Sequence, residues 1–329
     1  MFASRSALMR QAVEEAGSQL RKIGVDFRGP INVFKIIHKM GIELMFRPLE
    51  GKADGFYLPQ STSRPKAGIL LNSRRSPPRQ RYTAAHELCH FLRKDSGRVE
   101  VVSEECTFVP QNRPDEEIFA DFFAAHFLMP ARLVTHFFRK MGLRKGKLDE
   151  KDIYRLALCM RTSYEATCNH LLHLEFVSLD QHRALRKIPP RKIKSTWSAG
   201  LGHNDIWPID QKMNDFLLLP IVDDIIQLRL AEIPSTGYVW EVEKGYQEGV
   251  LSLEGSQLHF HGPEGGIAQT GERIFSFRVC RHGKKELRLS LKRPWERIGS
   301  TTLRFSLRIN SSENEFIGHY AKDQLLLAA

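Results

Sequence analysis

Two imidazoles and a carboxylate fall within five residues. In Arg81-Tyr82-Thr83-Ala84-Ala85-His86-Glu87-Leu88-Cys89-His90, His86 and His90 stand four apart with Glu87 after the first. On a helix, positions i and i+4 lie roughly 40° apart around the axis and about 6 Å apart along it, so both rings can converge on one cation. Glu87 falls about 100° round from His86, where it can reach a water on that cation without being a ligand. A hydrolytic zinc takes three protein ligands and leaves the fourth position to water. The third ligand is read as Glu117, in a segment of helical pattern with Phe119, Phe122, Phe123, His126 and Phe127 on one side. Asp121, one turn on, is placed to accept the free N–H of a zinc histidine and fix its tautomer. The expectation is one Zn2+ per chain, held by His86, His90 and Glu117, with Glu87 moving the proton in peptide hydrolysis.

Histidines at i and i+4 on an arbitrary helix are usually surface or satisfied core residues. Here Thr83-Ala84-Ala85 before the pair and Phe91-Leu92 after it make an apolar helix, and the downstream Glu117-x-x-x-Asp121 supplies what the ion lacks. Substrate would bind extended, and the strand Ala67–Asn72 is the candidate to pair with it if it forms a sheet edge. The sequence identifies no donor for the oxyanion.

These residues resemble the ImmA/IrrE family of metallopeptidases, whose pattern runs R-x-T-x-AHELGH and then E-x-E-A-N-x-FAA-x-LLMP. This chain reads RYTAAHELCH and EIFADFFAAHFLMP, through Leu128-Met129-Pro130. A first helix, the segment Pro30–Gly41 and two strands upstream fit as well. The resemblance implies an α+β zincin-like metallopeptidase fold whose members cleave a helix-turn-helix repressor and so switch on the genes it silences. Cys89 stands where glycine is usual and Phe119 where a second glutamate is usual, which leaves Glu117 as the ligand. Cys89 reads as a small buried packing residue rather than a ligand or nucleophile.

The elements that must hold this site set the domain plan. A chain of 329 residues, 42% hydrophobic and 26% charged, is ordinary globular composition with length for two domains. The first is read as 1–184. Residues 148–184 form a helix-turn-helix-like outline within it: a helix over Asp149–Met160, a turn, and Thr162-Ser163-Tyr164-Glu165 as a capping box opening a second helix through His173. The second helix carries few basic residues, so packing beside the peptidase is favoured over direct DNA binding. His170 and His173 lack a carboxylate or cysteine at matching spacing and read as surface or packing histidines. A basic, proline- and glycine-punctuated linker spans 185–212.

Alternating strands then follow at 216–219, 225–230, 238–242, 273–279, 285–291 and 302–309, an antiparallel sandwich over 213–325. Ile233–Trp240, the glycine-rich Gly262–Gly271 and Arg293-Pro294-Trp295-Glu296 resemble the NPTTGYxW, GxGG and RPWE loops of chagasin-like cysteine protease inhibitors. That family implies an all-β immunoglobulin-like sandwich whose three loops wedge into papain-like clefts. Ile233 and Ser235 depart from its asparagine and threonine, so the fold carries over further than the inhibition. The residues assigned to protein binding are Thr236, Gly237, Gly265, Gly266, Arg293, Pro294 and Trp295. Thr236-Gly237 permits a tight turn, Gly265-Gly266 admits a close backbone approach, and Trp295 is an anchor of the kind enriched in hot spots. Trp240 reads as a packing residue.

The net charge of +11 comes from 49 basic and 38 acidic residues in separate clusters, including Ser73–Arg81, each read as a solvated face. No secretory signal and no window of membrane-spanning length is read, and five unpaired cysteines fit free thiols in a reducing cytoplasm. The functional expectation is a zinc endopeptidase with a repressor as protein substrate and a papain-like protease as a further partner. The alternatives are a non-enzymatic binding module or inhibitor, and a DNA-associated regulator.

Overall fold

The structure is a computed structural model describing residues 2–95, 114–197, 205–243, 249–261, 270–296 and 301–309. The described residues divide into two compact units, 2–139 with 143–187 in the first and 140–142 with 188–309 in the second. In the first, helix α1 (Phe2–Ile23) buries Ala12, Ala16 and Leu20, spaced one turn apart, and lies against α4. Helix α2 (Val33–Lys39) starts at Asn32, whose side chain accepts the Lys35 amide at 3.0 Å.

Three strands follow where the sequence predicts two: β1 (Glu43–Arg47), β2 (Gly55–Leu58) and β3 (Gly68–Asn72). Their order is β1-β3-β2, with β1 parallel and β2 antiparallel to β3. The strand expected at the substrate edge is therefore central. The edge beside the metal helix α3 (Pro77–Arg93) is β2. A Cβ on Gly55 would fall 2.6 Å from Thr83 Cγ2 and 2.7 Å from the Leu70 carbonyl, so glycine is what lets β2 lie this close to α3. Buried Asn72 holds the preceding loop, donating to Ala53 O at 2.8 Å and accepting the Leu49 amide at 3.1 Å.

The basic stretch before the histidines is not a solvated face throughout. Arg79 is buried and donates from Nε to Asp54 Oδ2 at 2.9 Å, and Arg75 reaches the same carboxylate. Arg81 is wholly buried and donates to the carbonyls of Ile31 (2.7 Å) and Arg161 (3.0 Å), joining three segments around α3. Burial disfavours its charged form, and its pKa falls to about 9.

Helix α3 opens with Pro77 in its first turn, where the missing N–H costs nothing. It ends at Lys94, whose left-handed conformation returns the Asp95 amide to the His90 carbonyl at 3.0 Å. Helix α4 (Asp115–Leu128) is buried nearly all round, as a core helix must be, and Pro130 separates it from α5 (Ala131–Met141). The run Asp115–Met141 does reach the length and hydropathy of a membrane span, contrary to the sequence reading, but 67% of its most apolar window is buried inside the fold.

Helices α6 (Glu150–Met160), α7 (Tyr164–His173) and α8 (Leu179–Arg186) complete the unit. The α7 cap is Ser163, which accepts the Ala166 amide at 3.1 Å, one residue beyond the predicted Thr162. The capping box lies instead at Asp149 and Asp152, at the start of α6. Helix α7 buries Tyr164, Thr167, Cys168, Asn169, His170 and Leu171, so the helix that would read DNA is spent on packing.

The second unit contains two four-stranded sheets. Strands β4 (Ile206–Asp210), β6 (Ile225–Glu232), β9 (Thr270–Val279) and β8 (Leu251–His261) form one; β5 (Leu217–Leu218), β11 (Thr301–Ile309), β10 (Gly283–Lys292) and β7 (Val239–Val242) form the other. Alternate residues of each are buried, among them Phe275, Phe277 and Val279 in β9, and Leu287 and Leu289 in β10. The sheets are mixed, since β4 pairs parallel with β6 and β5 parallel with β11. The expected linker carries both a helix, α9 (Pro190–Ser195), and strand β4. Asp224, fully buried, ties β4 in by accepting the Trp207 indole N–H at 2.8 Å and the Asp205 amide at 3.1 Å.

Candidate metal centre

The α3 periodicity and the α4 core packing bring His86, His90 and Glu117 to one point. His86 Nε2 lies 3.0 Å from Glu117 Oε2 and 3.1 Å from His90 Nε2, and His90 Nε2 lies 3.2 Å from Glu117 Oε1. Tetrahedral bonds of about 2.0–2.1 Å to zinc would set ligand atoms roughly 3.3 Å apart. The three donors thus fit a small divalent ion with little movement.

The far nitrogen of each ring is held. His86 Nδ1 lies 3.1 Å from Asp121 Oδ1, which also accepts the Tyr82 hydroxyl at 3.0 Å. His90 Nδ1 lies 2.9 Å from Asp95 Oδ2. A proton on each Nδ1 leaves both Nε2 lone pairs aimed at the cation position. Asp121 is where the sequence placed it. Asp95 was not foreseen, because only the reversal at Lys94 turns it back onto His90.

The electrostatics match this arrangement. Burial opposes charging His86, but the Asp121 and Glu117 carboxylates outweigh it and its pKa is pushed up to about 10. His90 is raised likewise, against its burial, by Glu117 and then Asp95. Burial would raise Glu117, yet both imidazoles hold it well below the usual carboxylate range. Such a field favours a cation. Glu87, 5% exposed, is not among the three converging side chains; burial raises its pKa while His86, His90 and the Tyr57 backbone N–H of β2 support its ionised form.

Cys89 is buried and its thiol pushed up by burial, the state of a packing residue and not a nucleophile. His170 donates from Nε2 to the Met129 carbonyl at 2.7 Å, and its ring meets His126 edge-on at 4.6 Å. Neither it nor His173 joins a metal cluster among the described residues.

In the second unit, Pro234–Thr236 make a single 3-10 turn closed by Gly237 in the left-handed region (φ 75°), with the Thr236 hydroxyl donating to Ile233 O at 2.7 Å. Arg293 lies over the rings of Tyr238 (4.6 Å) and Trp295 (5.9 Å), so the first and third loops stand side by side. Trp295 is 73% exposed, whereas Trp240 is buried with its indole N–H on Ala231 O at 2.9 Å. Gly265 and Gly266 lie outside the described residues.

With these geometries in place, the likenesses to known proteins fall on the same two regions. Residues 37–172 match the family model for the IrrE N-terminal-like domain, and residues 221–309 match that for the chagasin family of peptidase inhibitors. The chain thus carries a metallopeptidase-like region followed by an all-β, chagasin-like region. The radiation response metalloprotease IrrE of Deinococcus deserti is 29% identical over 137 residues, 40% of this chain. The chain spans 46% of that relative's length. A cysteine protease inhibitor from Entamoeba histolytica aligns at 25% identity and a TM-score of 0.30, over 33% of this chain and 99% of its own. A Mycobacterium tuberculosis transcriptional regulator aligns at 11% identity and a TM-score of 0.34, over 83% of this chain and 76% of its own.

Proposed function

We propose that this protein is a zinc-dependent endopeptidase whose substrate is a helix-turn-helix repressor, with a C-terminal module that binds a protein through its loop edge. The convergence of His86, His90 and Glu117 beside a buried Glu87 carries this reading. A zinc ion held by those three side chains would polarise the attacking water and the scissile carbonyl. Glu87 takes the proton from that water and returns it to the leaving amine; burial supplies the raised basicity the task needs, and the Tyr57 amide fixes the carboxylate. Asp121 and Asp95 keep the imidazoles in the ligating tautomer. Substrate adds as an extended strand along β2, the edge that flanks α3.

The test is cleavage of a small helix-turn-helix repressor encoded beside this chain, by zinc-loaded protein and by Glu87→Gln. Cleavage by the first and not the second supports the reading; an intact repressor with fully metallated protein sinks the substrate assignment. For the second unit, the exposed Trp295, whose ring shares the Arg293 guanidinium with that of Tyr238, favours protein recognition, with a papain-like protease as the partner to assay.

A further inference from the structure

The two sheets of the second unit have four outer strands, of which three are blunted and one is not. These strands are β4 and β8 in one sheet, β5 and β7 in the other. Strand β5 has 2 residues, β7 has 4, and β4 has 5 with Pro208 among them. Short edge strands and proline are what keep a sheet from adding a further strand. Strand β8 has neither defence. It runs 11 residues, Leu251–His261, without lysine, arginine or proline, and among the described residues no strand pairs with its outer side. A row of backbone N–H and C=O groups is thus offered to an incoming strand.

The side chains of β8 suit a second copy of itself. Its ladder with β9 shifts at a bulge between Leu253 and Gly255, after which alternation resumes. Leu253 and Ser256 stand opposite the buried Phe277 and Phe275 of β9, and Leu258 and Phe260 follow on that face. Leu253 is 38% exposed and Phe260 52% exposed. The other face carries Glu254, Gly255, Gln257 and His259, with Glu254 accepting from Arg278 of β9 at 3.0 Å. Two copies of β8 laid antiparallel about a two-fold axis at Gln257 are complementary. Ser256 opposes Leu258, Gly255 opposes His259, and the bulge lets Leu253 oppose Phe260. Glu254 then lies beside His259 of the second copy, so exposed apolar meets exposed apolar and the one carboxylate of the strand meets an imidazole. Each contact occurs twice. Strand β6 is antiparallel to β9 and β9 to β8, so the turn at Pro234–Thr236 lies at the C-terminal end of β8. In an antiparallel pair these ends point in opposite directions, and both loop edges stay free.

We propose that β8 is a homodimer contact: two copies of this chain join edge to edge, antiparallel about Gln257, making one continuous sheet of two four-stranded ones. No residue of the metal centre takes part, so the inference stands apart from the peptidase reading. A single strand pair is a small contact, and the dimer should form at roughly micromolar concentrations. Sedimentation of the full chain from about 1 to 200 µM should show the mass passing from one chain to two. Each substitution on β8 acts twice. Gln257→Lys, which sets two ammonium groups face to face, and Phe260→Ser should therefore each raise the dimer dissociation constant roughly tenfold or more. Both side chains are exposed, so the melting temperature of dilute protein should hold. Register is read by Gln257→Cys in a Cys280→Ser background, which removes an exposed native thiol. A short bismaleimide should link two such chains, whereas Ser252→Cys in the same background, far from the axis, should link few. A chain that stays single at every concentration overturns the proposal. So does a dimer that both substitutions leave intact, or one that crosslinks through position 252 as readily as through 257.

Discussion

Asp95 Oδ2 lies 2.9 Å from His90 Nδ1, the counterpart of the 3.1 Å contact between Asp121 and His86. The two carboxylates come from unlike places, one beyond the end of α3 and one inside α4. Because both fix a tautomer, Asp95→Asn and Asp121→Asn should each lower zinc affinity by about 10–100-fold with the fold intact. Competition against a chromophoric chelator, with circular dichroism as control, measures this. Unchanged affinity in both would show that the imidazoles need no such support.

Zinc content should be about one per chain and should be lost in Glu117→Ala. Its pH dependence follows from the imidazoles. The neighbouring carboxylates push His86 up to about 10 in the metal-free site, so protons compete with the ion and apparent affinity should rise with pH across about 5–8. Affinity that does not change over that range would argue against histidine ligation.

Glu87→Gln should keep zinc and fold but lower cleavage by roughly 10²–10⁴-fold. Single-turnover cleavage of the proposed repressor substrate, with metal analysis of the same sample, separates proton transfer from coordination. A variant that cleaves like the parent would move the proton-transfer role elsewhere.

The first unit should lose stability in acid through histidines remote from the metal. Burial lowers His126 to about 4, aided by His173, and holds His170 well below its ordinary value. The unfolded chain, with histidine near 6.5, binds the extra protons, so stability is complete above about 6.5 and falls as pH drops toward 4. The His126 contribution is of order 3 kcal/mol. His126→Phe should flatten the decline in the melting temperature of the full chain below pH 6.5. An equally steep decline in the variant would assign acid sensitivity to other groups.

A C-terminal fragment beginning at Ile188 should be more stable than one beginning at 213, because the shorter fragment lacks β4. That strand buries Ile206, Trp207 and Ile209 and satisfies Asp224. Three such side chains at about 1.5–3 kcal/mol each outweigh any linker effect. Denaturant midpoints of the two fragments decide it. Titration of the longer one against a papain-like protease, with Trp295→Ala as control, then tests the loop edge.

Much of the site was legible because its information is local. The spacing of His86, Glu87 and His90 fixes their angles on a helix, and the aromatic pattern placed Glu117 and Asp121 on a second one. The alternating strands of the second unit were readable for the same reason. Strands β4 and β8 were not: β4 contains Pro208 and follows a basic stretch, while β8 is a largely exposed edge with weak alternation.

What the sequence alone determined was that His86, His90 and Glu117 converge, that Glu87 stands beside them, and the order of the two regions. The tertiary structure decided that β2 rather than β3 is the edge along α3, that Arg79 and Arg81 are interior struts, and that Asp95 supports His90. Each of these depends on where the chain returns after a turn. Sheet order and burial by distant segments arise from contacts between residues far apart in the chain, and the left-handed residue Lys94 breaks the helical period on which local spacing arguments rest.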